Sequence, residues 1–471
     1  MFNVISDKWI ITETGKYGIR ELLANAHKIK EIKGDNPLVE FGIYRFLFTF
    51  LMDALRPKET EDCFDILDEG AFDMGKIDGY ISACEAEGVS FDIYDGTRPF
   101  LQEPKDCFKE KDRSAVTYLD KLSPTGTSKR FFDKRYESSA YMDDDEIVRY
   151  LVTTTLYIYD GNGYSTCISK APVYSILKGE NLFETLAMGL IPINKAERAY
   201  GRPYWIHGSV QGEGMTKAAP VVEPPLLFAL TLPIRRVNVI DNTSIYYKGR
   251  FYFEAPSWKD PYVAYFGDKS MKPKEEYFKR WTDLLALCDP ADGSLKVVDI
   301  YSSYLENDSL PIKIVSYEGL PTNSKYKDMR KNEFILPASY VGNTKLIGNA
   351  KEFAAKMTLC NSYLSKAVKD AFGENALVAY ANLRFHEKAD ALFEKRLQSM
   401  EFNEEEWIEE LKALATDTFD VYLDRKTSIN TLTKALQHRA FMIGKFNKLI
   451  KKPEKSANEC PQDADANKDS R

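Results

Sequence analysis

Histidine is nearly absent from this chain, with four copies in 471 residues, at positions 27, 207, 386 and 438. None stands in an H-x-H, H-E-x-x-H or His-Asp pair, which removes the ligand spacings common in metallo-hydrolases and metal-dependent nucleases. Cysteine is sparse too. Its seven copies, at 63, 84, 107, 167, 288, 360 and 460, include no C-x-x-C and are odd in number. A disulfide framework or zinc ribbon is therefore not expected, and a reducing cytoplasm fits. No basic segment followed by an apolar run opens the sequence, so no signal peptide is expected. The most apolar stretch, Phe41–Leu55, contains Arg45 and Asp53. It falls short of the ~20 residues that span a bilayer and reads as a buried helix. There is no G-x-S-x-G elbow. Bulk positive charge is also missing. Lys plus Arg number 64 against 71 Asp plus Glu, a formal net charge of -7. A protein that coats nucleic acid is excluded by that balance, but a local basic groove is not.

What is present is core material. Hydrophobic residues make up 44% and aromatics 13%, with 28 Tyr and 27 Phe. Residues 1–349 read as a large mixed α/β domain. β-rich runs at Val4–Ile11, Ser244–Glu254 and Pro311–Tyr317 alternate with helical patterns at Val39–Leu55 and Glu146–Tyr157. Four amphipathic stretches follow, at Ala350–Phe372, Ala376–Gln398, Glu404–Leu423 and Ser428–Leu449. Gly373, Asn403 and Thr427 supply stop and cap signals between them. Short breaks between helices of similar length predict an antiparallel four-helix bundle over 350–452, so the fold class is α+β. Residues 453–471 are almost devoid of apolar side chains and read as a disordered tail.

One stretch nearly matches a nucleotide-binding loop. Gly70-Ala-Phe-Asp-Met-Gly75-Lys76 fits seven positions, but Ile77 replaces the Ser or Thr that would hold Mg²⁺. An acidic segment, not a buried strand, precedes it. No cofactor is expected.

Several loops run against the acidic total. Lys121–Arg135 holds Lys129, Arg130, Phe131, Phe132, Lys134 and Arg135, a mixture of cations and aromatics suited to a single-stranded backbone with a stackable base. The plainer alternative is a solvated loop whose phenylalanines turn back to the core. Asp160-Gly161-Asn162-Gly163 is either a turn or a place where backbone approaches phosphate. Lys259–Arg280 carries Lys269, Lys272 and Lys274. Gly319–Lys331 groups cations around Asn323, Ser324 and Lys325. Each of these two is an exposed loop or an element that enters a DNA minor groove.

The ordered set Phe2-Asn3…Trp9, Glu21-Leu22-Leu23, Gly34-Asp35…Pro37, Pro99-Phe100-Leu101-Gln102, Asn181–Leu186, Gly201-Arg202-Pro203-Tyr204-Trp205 and Trp258-Lys259-Asp260-Pro261 resembles the CasA family. CasA is the large subunit of the type I-E CRISPR Cascade surveillance complex. The resemblance covers roughly residues 1–450. It implies a non-catalytic, cytoplasmic subunit with no membrane association. Its implied partners are guide RNA (crRNA), target double-stranded DNA, other Cascade subunits and a helicase-nuclease or complex-borne nuclease. It further implies that Lys121–Arg135 contacts the guide 5′ handle. Asp160–Gly163, Lys269 or a neighbour such as Lys272, and the Asn323–Lys325 turn would meet the protospacer-adjacent motif (PAM). This chain departs from the family in two of these places. Asp160 and Asn162 interrupt what is commonly a longer glycine run, and Asn323-Ser324-Lys325 stands where the wedge commonly carries glutamine.

Overall fold

The computed structural model describes residues 1–120, 141–156, 172–207, 221–233, 235–250, 253–254, 259–274, 280–289, 291–321, 326–423 and 429–450. The chain divides into two compact units. One comprises Met1–Glu276 with Asp283–Ile347, the other Tyr277–Thr282 with Gly348–Arg471.

The first unit is organised on one buried helix, Pro37–Leu55. The Asn36 side chain caps its start, accepting from the Leu38 and Val39 amides at 3.0 Å each, with Pro37 at the first turn. Every residue from Leu38 to Asp53 is buried. A helix that is apolar all round has no solvent face to offer and so becomes a core. Arg56, at φ 47°, ends it in the left-handed region.

Helices Asp144–Thr153, Leu226–Thr231, Met74–Ala86 and Leu182–Ala187 pack around this core helix, and so does the strand Pro311–Pro321. That strand is the middle of an antiparallel sheet, between Tyr326–Pro337 and Tyr174–Leu177. A second antiparallel sheet places Ser244–Arg250 between Arg113–Ala115 and Arg235–Val239. A third places Ile10–Thr12 between Lys16–Tyr17 and Ile32–Lys33.

The run Val4–Ile11 forms less strand than its composition suggests, since only Ile10–Thr12 pairs as a ladder. Local polar side chains capture the earlier backbone. Asn3 Oδ1 accepts the Ile5 amide at 2.9 Å, and Asp7 Oδ2 accepts the Asn3 amide at 2.7 Å.

The second unit is a helical bundle. Its helices are Thr344–Phe372, which belongs to this unit from Gly348 on, Asn375–Ser399, Glu404–Leu423 and Ile429–Ile450. The first begins six residues before the pattern start at Ala350, because Asn343 supplies a cap through its Oδ1 and the Leu346 amide, 3.1 Å apart. Gly373, at φ 73°, ends it. Asn403 Oδ1 accepts the Glu406 amide at 3.3 Å at the head of the third helix. Trp407 is fully buried, stacks on Phe353 at 5.9 Å and donates its indole N–H to the Phe353 carbonyl at 3.1 Å. Trp281 joins the same interior, donating to Asp390 at 2.8 Å and meeting Phe393 edge-on. The α+β class read from the sequence is therefore the observed one. Among the described residues no helix is long and apolar enough to cross a membrane.

Candidate nucleic-acid interface

The longest sheet element is a hairpin. Its strands pair from Pro311↔Pro337 outward to Pro321↔Tyr326, with an irregularity at Leu320/Pro321. Its strands have eleven and twelve residues, against four in the third strand of the same sheet. At its base Lys178 Nζ lies 3.0 Å from Glu333 and 3.3 Å from Glu31. Further out, Lys331 Nζ lies 2.7 Å from Glu40 of the core helix and 3.6 Å from Glu31. Burial opposes ionisation of Glu31, but Lys33, Lys331 and Lys178 outweigh it and hold its carboxyl down at about 2. The hairpin is thus fixed to the core by charge as well as by its ladder.

A second, smaller hairpin pairs Tyr265–Phe266 with Lys269–Ser270. Its turn residues are Gly267 and Asp268, and Gly267 has φ 60°. A two-residue hairpin needs that sign at its first turn position, which favours glycine. Lys259 braces the turn, with Nζ 3.2 Å from the Gly267 carbonyl and 3.7 Å from Asp268. The hairpin's root is buried. Arg45 of the core helix meets Asp260 at 2.7 Å with both side chains fully enclosed, and its Nε donates to the Leu230 carbonyl at 3.0 Å. Asp260 also accepts the Tyr262 amide at 3.0 Å. Lys269 stands exposed on this small hairpin, and Lys272 is half-buried just beyond it.

Arg330 links the long hairpin to the segment that follows the small one. Its Nη1 donates to the Lys274 carbonyl at 3.0 Å, while Asp328 accepts from Nε at 2.9 Å. The structure therefore joins the strand that leads to positions 322–325 to Lys274, which follows Lys269 and Lys272 in the chain. The tip residues Asn323, Ser324 and Lys325 lie outside the described residues. So do Asp160, Gly161, Asn162 and Gly163, and so do Lys129, Arg130, Phe131, Phe132, Lys134 and Arg135.

Sequence reasoning misses Arg45–Asp260 and Arg330 as site-building residues. The signal for Arg45 is visible, since a charge inside an apolar helix needs a buried partner. No local signal marks Arg330.

The Gly70–Lys76 stretch is not a phosphate cradle. A helix, Thr60–Asp68, precedes it. The Asp73 carboxylate already occupies the amides a phosphate would need, accepting from Gly75 at 2.8 Å and Lys76 at 3.3 Å. Among the described residues no group of three His, Cys, Asp or Glu is placed to hold a metal.

The sequence model for "CRISPR-associated protein Cse1" matches residues 3–424. This chain belongs to the Cse1 family. Solved structures share its fold. Thermus thermophilus CasA (Cse1) superposes with a TM-score of 0.75 at 20% identity, covering 95% of this chain and 100% of that one. Thermobifida fusca Cse1 gives 0.74 at 16% identity over 95% and 98%. A chain of a "CRISPR RNA-guided surveillance complex" gives 0.72 at 15% identity over 94% and 99%. No curated relative matches.

Several motifs that carry the Cse1 resemblance serve the framework here. Arg202 Nε lies 3.0 Å from Asp53 of the core helix, and Tyr80 donates its hydroxyl to the same carboxylate at 2.9 Å. Trp205 donates to the Tyr80 oxygen at 3.2 Å, and Tyr204 donates to Glu103 at 2.7 Å. Gln102 bridges the Ile93 carbonyl and the Val239 amide. Asn181 caps its helix by accepting the Glu184 amide at 2.9 Å. Of these residues, Tyr80, Gln102, Tyr204 and Trp205 are buried and serve the core.

Proposed function

We propose that this Cse1-family chain is the large, non-catalytic subunit of a type I-E Cascade complex. In this reading it recognises the PAM in duplex DNA, promotes strand separation and R-loop formation, and offers a docking surface to the nuclease that degrades the target. Its partners are guide RNA, target DNA, the other Cascade subunits and that nuclease. The observation that carries the reading is a long arm leading to residues 322–325 that is linked through Arg330 to the segment following a short turn with exposed Lys269. The family match and the likeness to a chain of a surveillance complex support it.

The roles divide by chemistry. Lys269 and Lys272 supply cations to a minor groove, whose degenerate pattern suits a permissive motif. Asn323, Ser324 and Lys325 form the wedge that unstacks base pairs. Asp160–Gly163 brings backbone near the groove. Lys129, Arg130, Phe131, Phe132, Lys134 and Arg135 hold the guide handle by charge and stacking. Guide pairing supplies most of the sequence reading, so the protein need touch only a few base pairs. The same logic holds for another RNA-guided effector.

Gel-shift titration of PAM duplex with the assembled, guide-loaded complex tests the reading. Lys269→Ala and the triple change Asn323→Ala, Ser324→Ala, Lys325→Ala should each weaken binding about tenfold, within the ~1–3 kcal/mol range of a lost specific contact. Guide loading should be retained. Unchanged affinity in both variants rejects the site.

A further inference from the structure

The long hairpin is tied down at successive levels, and the outermost described tie differs in kind from the others. The inner ties, Lys178 to Glu333 and Lys331 to Glu40, run to the sheet and the core helix. Arg330 runs to the segment that follows the other hairpin, donating to the Lys274 carbonyl at 3.0 Å. It is held for that task. Glu318, its cross-strand partner in the ladder, lies 3.7 Å from Nη1, and Asp328 lies 2.9 Å from Nε. The Glu318 and Arg330 side chains are only 4% and 11% exposed. Lys274 is fixed again by its own ammonium, 3.2 Å from Asp283. Between the Gly267 turn and that anchor lie Lys269 and Lys272.

We propose that Arg330 is a positioning residue that locks the Lys269–Lys274 segment to the long hairpin, so that both reach one DNA duplex at a fixed spacing. This rests on the reading of Lys269 and the 322–325 turn as DNA-contacting. The physical gain is preorganisation. Two weak contacts on one rigid frame bind as a single unit, because the entropy of aligning the second is lost in folding and not in binding. A guanidinium suits the task, since its fork serves two carboxylates and a carbonyl at once. Arg330 need not touch DNA.

Removing Arg330 alone would leave Glu318 buried without its cross-strand cation and could disturb folding. The working variant is therefore Glu318→Val with Arg330→Val, a β-branched cross-strand pair that keeps the ladder. Arg330→Lys serves as the conservative comparison. Hydrogen exchange on the full chain reads the lock, and PAM-duplex titration of the assembled, guide-loaded complex reads its consequence.

The expected result has three parts. Exchange rises about tenfold over 269–274, while the core helix Pro37–Leu55 keeps its protection. Duplex affinity falls about tenfold with guide loading intact. Arg330→Lys recovers part of both. Unchanged exchange over 269–274 overturns the lock. Raised exchange with unchanged duplex affinity, in a complex where Lys269→Ala still weakens binding, overturns the positioning role. Raised exchange where Lys269→Ala has no effect rejects the DNA-contact reading itself, and the proposal with it.

Discussion

The two units solve the problem of burial in different ways. The first encloses charge. Arg45–Asp260, Arg149 with Asp35 and Asp145, Asp53 with Arg56 and Arg202, and Glu103 with Arg236 all join residues whose side chains are mostly or wholly hidden on at least one side. Both units enclose rings, as Phe41 with Tyr174 and Tyr317 shows in the first, but the bundle's hidden interior is built on them. Trp407, Phe353, Phe393 and Trp281 form one cluster, and Phe372 meets Phe419 and Tyr422 in another. Its ion pairs, such as Arg439–Asp420 and Arg396–Glu410, lie nearer the surface. Irregular loops and three-residue strands cannot be fixed by apolar patterning alone. A buried charge pair names its partner across the sequence, as Arg45 names Asp260 over 215 positions. Long amphipathic helices need no such device.

The largest effect should follow from breaking one of the first unit's hidden pairs. Arg45→Met leaves Asp260 enclosed without its cation, a change that typically costs about 3–5 kcal/mol. Pairing it with Asp260→Leu should recover most of that loss, because two apolar residues of similar volume can replace a buried pair. Urea unfolding followed by hydrogen exchange over the first unit measures both. A loss below ~1 kcal/mol for Arg45→Met would remove the contrast between the units.

The same contrast explains what is legible in the sequence. The spacing of Trp407, Leu411 and Phe419 bounds the third bundle helix at Glu404–Leu423, and it is found there. The pattern makes the first bundle helix too short, because Gly348 masks a helix that Asn343 has already started. In the first unit the core helix is legible from its unbroken apolar run. Its charges are legible only as a problem, since neither Asp260 nor Arg202 is near in sequence. The long hairpin is half visible. Pro311–Tyr317 reads as strand, while the pairing that extends it to Pro321 depends on a register no local pattern states. The clamp through Arg330 ends on a backbone carbonyl, which every residue possesses, so composition cannot announce it.

Acid should separate the units next. His386 is buried in the bundle, and burial lowers its pKa from 6.5 to about 4. The unfolded chain takes up a proton below about 6.5 that the folded bundle refuses until about 4. Bundle stability therefore falls as pH drops through that window, by up to a few kcal/mol at ~1.4 kcal/mol for each pH unit between the two values. Glu31 behaves differently. Its folded pKa is depressed from 4.5 to about 2, so its contribution is complete above about 4.5 and disappears only as pH falls toward 2. Exchange protection, corrected for intrinsic rates, should weaken first in the bundle between pH 6.5 and 4.5. His386→Leu should flatten that slope. Equal loss in both units over that range would contradict the assignment.

The smallest effect should come from the bundle's own ion pair, although its geometry is the better of the two. Arg439 meets Asp420 through two bonds, 2.6 and 2.7 Å, linking the third and fourth helices. Bidentate guanidinium contacts are strong in isolation. Here the side chains are 29% and 38% exposed, and water screens what the geometry offers. Arg439→Ala should cost about 0.5–1 kcal/mol in low salt, the range for exposed pairs. In ~1 M salt, where the screening length is about 3 Å, the loss should shrink further. Arg45→Met should keep its full cost under the same salt, because no counter-ion reaches an enclosed carboxylate. If instead Arg439→Ala matched Arg45→Met and ignored salt, enclosure would not be what separates the two units. The number of bonds per pair would then set the energy, and the bundle would depend on its surface charges as much as the first unit depends on its hidden ones.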